Sequence, residues 1–147
     1  MPDTVVELAL ADILDLRVRV LRKGTPWTHA NYPEDSYPDA VHFGIVRDDG
    51  PVATSTWFAK ECPEMPGVPA MQLKGMAVDD HLQGEGLGAL LIGRGIEHAR
   101  AHGARVVWAR ARDSALYFYE RRGFRSVGEG FIDEPTAMPH HIVIREV

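Results

Sequence analysis

The sequence predicts a domain of the α+β or mixed-sheet α/β class, and three observations predict it. Residues 41–59 read as two β-rich runs joined by Asp48-Asp49-Gly50, a tight-turn signal. Residues 86–102 carry apolar side chains at helical spacing and are followed by Gly103, where a helical stop belongs. Strand and helix signals alternate along the whole chain in the order β-α-β-β-β-α-β-α-β-β, with a meander before the first strong helix.

The elements follow in order. Residues 4–8 form a short strand around the β-branched Val5 and Val6. Residues 11–21 form a helix with Ile13, Leu14, Val18 and Leu21 on its apolar side. Arg17, Arg19 and Arg22 fall on its other faces and read as a solvated surface. Residues 23–40 hold Gly24, Pro26, Pro33 and Pro38 beside Trp27, Tyr32 and Tyr37, the composition of an irregular loop that carries large side chains, as site-lining loops do. Strands at 41–47, 52–59 and 71–78 come next. The helix at 86–102 has Leu87, Leu91, Ile92, Gly95, Ile96 and Ala99 on one side. A strand at 106–111, a helix at 114–122 closed by Gly123, and strands at 124–127 and 141–147 complete the pattern.

Length and composition set the outer limits. With 147 residues, 45% hydrophobic and 25% charged, the chain fits one domain covering residues 1–147. Sixteen Lys and Arg against twenty-one Asp and Glu leave a net charge of −5, which argues against a nucleic-acid footprint. Cys62 is the single cysteine, so no internal disulfide and no four-cysteine zinc site is possible; an inert, half-buried thiol is expected. His81, His98 and His102 show no metal-ligand spacing to Cys62 or to carboxylates, and no metal is expected. Asp3, Glu7, Asp12 and Asp15 are incompatible with the basic start of a signal peptide, and no apolar run reaches membrane-spanning length. A cytoplasmic protein is expected, with monomer and homodimer both open.

Chemistry concentrates at Gln83-Gly84-Glu85-Gly86-Leu87-Gly88, between a strand and the best helix. Glycine admits positive φ and close approach to the backbone, and a helical first turn leaves N–H groups unpaired at the positive end of the dipole. Together these make an anion site, with phosphate its common occupant. A dinucleotide-binding loop would follow the first strand of a repeated βαβ domain, and a P-loop would continue into Gly-Lys-Ser/Thr; neither condition holds.

These residues resemble the GNAT superfamily of acyl-CoA-dependent N-acetyltransferases. Residues 83–88 match its coenzyme A signature Q/R-x-x-G-x-G/A, and Met76-Ala77-Val78 looks like the end of its fourth strand. Residues 115–124, Ala-Leu-Tyr-Phe-Tyr-Glu-Arg-Arg-Gly-Phe, match its A-x-x-F-Y-x-x-x-G-F motif. The outer segments are similar to the ElaA-like branch: arginines 17–22 before an aromatic loop, Gly128-Glu129-Gly130-Phe131, and Pro139-His140-His141.

The resemblance implies a mixed, mostly antiparallel sheet splayed between its fourth and fifth strands and flanked by helices. It implies acetyl-CoA as co-substrate, with its pyrophosphate on the N–H groups of Gln83, Gly84, Glu85, Gly86, Leu87, Gly88 and Ala89 and its pantetheine arm on Met76, Ala77 and Val78. Tyr119 matches the tyrosine that commonly protonates the departing thiolate, while Tyr117 and Phe118 read as core or pocket walls. Gln72 stands where many relatives place a glutamate base. Water relays ending on Glu134, His140, His141 or His42 remain open. Asp113 replaces the asparagine that often contacts the cofactor. The acceptor amine, small molecule or peptide, is expected to meet Trp27, His42, Glu134 and His140. A non-catalytic acyl-CoA-binding module is the alternative, and a nicotinamide-dependent enzyme a third.

Overall fold

A computed structural model describes residues 2–147. Seven strands form one sheet in the order β1-β2-β3-β4-β5-β7-β6. They are β1 (Val5–Leu8), β2 (Val41–Arg47), β3 (Gly50–Ala59), β4 (Ala70–Val78), β5 (Val106–Arg112), β6 (Arg125–Asp133) and β7 (Met138–Glu146), with helices α1 (Leu10–Leu21), α2 (Leu87–Ala101) and α3 (Leu116–Glu120). This is the mixed, mostly antiparallel sheet expected. The chain forms two compact units, one from residues up to Phe58 with Lys74–Gly95, the other from Ala59–Leu73 with Ile96–Val147.

In the first unit, β1 pairs antiparallel with β2, and β2 with β3 through the turn at Gly50, whose φ of +117° suits glycine. β2 and β3 are buried along most of their length, with Phe43, Ile45, Ala53, Trp57 and Phe58 in the core. The N-terminal helix presents a different face from the one expected. Ile13, Leu16 and Arg17 are its buried residues, so the inward stripe is rotated and includes an arginine.

In the second unit, Ala70, Met71 and Gln72 of β4 run parallel to Val106, Val107 and Trp108 of β5. β5 pairs antiparallel with β7, and β7 with β6. Cys62, Val106, Trp108 and Ile144 form a buried cluster, and Trp108 Nε1 donates to the Lys60 carbonyl at 2.8 Å. Cys62 is fully rather than half-buried, and burial pushes its thiol pKa up, away from the reactive thiolate. The helix expected over 114–122 is a 3₁₀ turn, Asp113–Ala115, followed by five residues of α3. The last two strands are longer than the residue pattern suggested. A register shift between Val127 and Phe131 absorbs Gly128, Glu129 and Gly130 and lets β6 continue to Asp133.

Candidate active site

The glycine loop is held at both ends. Asp79 N–H donates to the Val52 carbonyl at 2.9 Å, after which a 3₁₀ turn spans Asp80–Leu82. Gln83 Nε2 donates to the Val78 carbonyl at 3.1 Å, tying the loop to the end of β4. Gly84 and Gly86 then take φ values of +89° and +88°, the left-handed region that glycine enters without penalty. A Cβ built on either would meet nothing within 4 Å, so the loop offers open backbone to a ligand.

Leu90 N–H donates to the Gly86 carbonyl at 3.2 Å, the first bond of α2. The N–H groups of Leu87, Gly88 and Ala89 come before that ladder and lie at the positive end of the helix dipole. Leu87 and Gly88 are buried, Ala89 is half-buried, and Gln83 and Glu85 are exposed. Met76 and Val78 are half-buried at the end of β4, flanking the buried Ala77. These neutral donors and open backbone are the chemistry a pyrophosphate requires.

Beside β4 lies a charged network that the residue pattern did not reveal. Arg17 is fully buried. Its Nη1 and Nη2 bond the two Asp35 oxygens at 2.8 Å each, with further bonds to the Ala30 carbonyl at 2.9 Å and Thr56 Oγ1 at 2.7 Å. The guanidinium stacks on Tyr32, 4.4 Å from the ring centroid. Lys74 Nζ approaches the same ring at 4.6 Å and bonds Glu34 at 2.9 Å. Gly75 makes the space, since a Cβ there would lie 3.0 Å from Arg17 Nε. Burial pushes the Asp35 carboxyl up, but the Arg17 bonds and the Tyr32 N–H outweigh it, holding the group below the usual carboxylate range. The helical spacing from Ile13 to Arg17 was the available signal, because i and i+4 share a face.

His42 belongs to this network. Its Nδ1 lies 2.8 Å from Thr56 Oγ1. Arginine only donates, so Thr56 accepts from Arg17, and its own proton has Nδ1 as the acceptor within reach. That assigns the His42 proton to Nε2. Burial, then the nearby Arg17 charge, lower the His42 pKa. The neutral ring therefore presents a donor at Nε2 instead of the free lone pair a base requires. Trp27, on the loop between α1 and β2, is 48% exposed with its ring edge-on to His29.

In the second unit, Tyr119 is buried and packs edge-on against Phe118 and Phe124, with centroids 5.2 and 5.3 Å away. Burial pushes its phenol pKa up, so the hydroxyl keeps its proton throughout the neutral range. Tyr117 is 69% exposed, so it is not part of the core. Gln72 is buried with its Oε1 unpartnered.

Glu134 is exposed just after β6. His140 is buried, donates Nδ1–H to the Met138 carbonyl at 2.9 Å, and lies 5.8 Å from the Phe131 ring. Asp113 bonds the neighbouring His141 at 2.6 Å, a pairing between residues 28 apart that the sequence does not show. Among the described residues, no group of three or more His, Cys, Asp or Glu side chains is placed to hold a metal ion, and no helix is long and apolar enough to cross a membrane.

Comparison with known proteins gives a consistent picture. The profile of the acetyltransferase (GNAT) family matches residues 10–124. YitI, an uncharacterized N-acetyltransferase of Bacillus subtilis strain 168, is 28% identical over 138 residues, covering 93% of this chain and 91% of its own. The crystal structure of Escherichia coli ElaA superposes with a TM-score of 0.80 at 21% identity, over 99% of this chain and 100% of that one. A GNAT family acetyltransferase from Elizabethkingia anophelis with acetyl-CoA bound superposes at 0.72 and 13% identity, over 99% and 98%.

Proposed function

Because the chain belongs to the acetyltransferase (GNAT) family, we propose that it is a cytoplasmic, acetyl-CoA-dependent N-acetyltransferase acting on a primary amine of a small molecule or peptide. The observation that carries this reading is the open loop at 84–86, with two left-handed glycines leading directly into the first turn of α2. An anion meets several N–H groups there without desolvating a side-chain cation, each dipole contact worth about 0.3–2 kcal/mol. Gln83, Gly84, Glu85, Gly86, Leu87, Gly88 and Ala89 would hold the pyrophosphate of coenzyme A, and Met76, Ala77 and Val78 would line its pantetheine arm. The acetyl thioester supplies an activated acyl group.

Tyr119 is the proton donor of this scheme. Its buried phenol stays protonated at neutral pH and has a proton to give to a departing sulfur. The amine's proton needs a separate acceptor, because an alkylammonium with pKa about 10.4 is almost wholly charged at pH 7. Trp27, His42, Glu134 and His140 are the residues we assign to the acceptor side, His42 as a hydrogen-bond donor. A second reading, a non-catalytic acyl-CoA-binding module, draws on Gln72, which cannot take a proton at neutral pH.

The test supplies acetyl-CoA with a panel of alkylamines, arylamines and peptide α-amines and follows thiol release together with acetylated product. Amine-dependent release supports the transferase. Acetyl-CoA binding with no release for any amine supports the module. Absence of acetyl-CoA binding overturns both.

A further inference from the structure

Residues 79–85, which lead into and form the glycine loop, carry three acidic side chains, and each meets a basic side chain from outside the segment. Asp79 pairs with Arg19 of α1, Asp80 with Lys23 at 2.7 Å, and Glu85 with Arg47 of β2 at 3.5 Å. Asp79 and Asp80 precede the glycines. Glu85 stands between the two left-handed ones, Gly84 and Gly86. An unrestrained carboxylate at that place shares the cradle with any bound phosphate, and like charges at such range repel.

Arg47 is itself held in place. Its Nε and Nη2 donate to the two Asp3 oxygens at 3.1 and 2.9 Å, and the same Nη2 faces Glu85 Oε1. The Asp3 carboxylate offsets the Arg47 charge, so the guanidinium offers a phosphate little direct attraction. The packing of α2 on β2 agrees with this contact. The Arg94 guanidinium lies 4.5 Å over the ring of Phe43, four residues before Arg47, and the start of the helix with its loop falls at the Arg47 end of the strand. Partly exposed ion pairs add little to stability, so the consequence of this one lies in where it puts a charge.

We propose that Arg47 is a positioning residue for coenzyme A: pinned by Asp3, it draws the Glu85 carboxylate out of the anion cradle and leaves the glycine backbone open to the pyrophosphate. The inference rests on acetyl-CoA binding at this loop, which the transferase and the acyl-CoA-binding module have in common. Without Arg47, the Glu85 carboxylate is free to turn toward the bound phosphates. Without the Glu85 charge, Arg47 has nothing to hold. Arg47 therefore acts through Glu85, whereas a cation that bound the phosphate itself would act with or without that carboxylate.

The experiment measures acetyl-CoA affinity by calorimetry for wild type, Arg47→Gln, Glu85→Gln, the double variant and Lys23→Gln, each first checked for folding by circular dichroism. In about 50 mM salt, Arg47→Gln should bind about fivefold more weakly, the size of one charge contact in water. Glu85→Gln should bind about twofold more tightly, because even a paired carboxylate repels the ligand. Adding Arg47→Gln to Glu85→Gln should then cost less than about twofold. Lys23→Gln removes the same charge beside a carboxylate outside the glycines, and should also cost less than about twofold. In about 0.5 M salt the Arg47→Gln loss should fall below about twofold, since screening then acts within a few Å. Wild-type affinity in folded Arg47→Gln, a loss that persists undiminished in the Glu85→Gln background, an equal loss in Lys23→Gln, or a loss that salt does not change overturns the proposal while leaving acetyl-CoA binding at the loop intact. Wild-type protein that binds no acetyl-CoA overturns the transferase and module readings and the proposal with them.

Discussion

Gly93 and Gly95 lie two residues apart in α2, and alanine should act on them in opposite directions. In an exposed helix interior, Gly→Ala gains about 0.8–1 kcal/mol from backbone entropy and propensity. Gly93 is exposed and a Cβ there meets nothing within 4 Å, so Gly93→Ala should realise that gain, a rise of roughly 2–4 °C in Tm for a chain of this size. Gly95 presses against Trp57, and a Cβ there would fall inside the van der Waals surface of the indole. Trp57 is fully buried, with Nε1 bonded to Ser55 Oγ at 2.8 Å, so the ring cannot swing clear without losing that bond. Overpacking of this kind costs about 1–3 kcal/mol and sometimes more. The upper part of that range applies, because the clash involves a rigid ring. Gly95→Ala should therefore be net destabilised by about 1–2 kcal/mol despite the propensity gain. Urea and thermal unfolding followed by circular dichroism measure both variants. A double variant, Gly95→Ala with Trp57→Leu, should show favourable coupling, since each change relieves the other. Gly95→Ala as stable as Gly93→Ala would refute the close contact.

Gly86→Asp keeps a residue type that tolerates the left-handed region but adds a carboxylate to the anion cradle; calorimetry should show acetyl-CoA affinity falling at least tenfold, about 1.4 kcal/mol. Tyr119→Phe keeps the packing against Phe118 and Phe124 and removes the proton; single-turnover transfer should slow by roughly 10²-fold while acetyl-CoA binding is retained. Trp27→Ala, at an exposed position, should raise the acceptor KM and leave the acetyl-CoA KM nearly alone in steady-state kinetics. Acid should destabilise the fold in two stages readable as urea midpoints. His42 has a lowered folded pKa, with Arg17, Asp35 and Glu7 as its charged neighbours, so the unfolded state binds the extra proton and stability falls as pH drops below about 6.5. Asp35 is also lowered, so its contribution is present above the unfolded value near 3.9 and is lost as pH falls through the folded one; His42→Gln should remove only the first stage.

What the sequence by itself determined is the short-range part of the protein. The turn at Gly50, the stop at Gly103 after α2, the buried stripe from Leu87 to Ala99 and the open loop at Gly84 and Gly86 were legible because each depends on residues within a turn or two of one another. Turn chemistry, helical period and glycine's φ freedom act at that range. What only the tertiary structure decided depends on partners far along the chain. Arg17 resembles its neighbours Arg19 and Arg22 in sequence, yet Asp35 and Thr56, 18 and 39 residues away, draw it into the core, where an unpaired charge would be prohibitive. Gly93 and Gly95 differ only by what lies across from them. His140 and His141 are adjacent and chemically identical, but strand alternation and a bulge aim one at a backbone carbonyl and the other at Asp113. Burial of charge, close packing and side-chain pairing are properties of surfaces brought together by folding, and no local pattern encodes which surface a residue will meet.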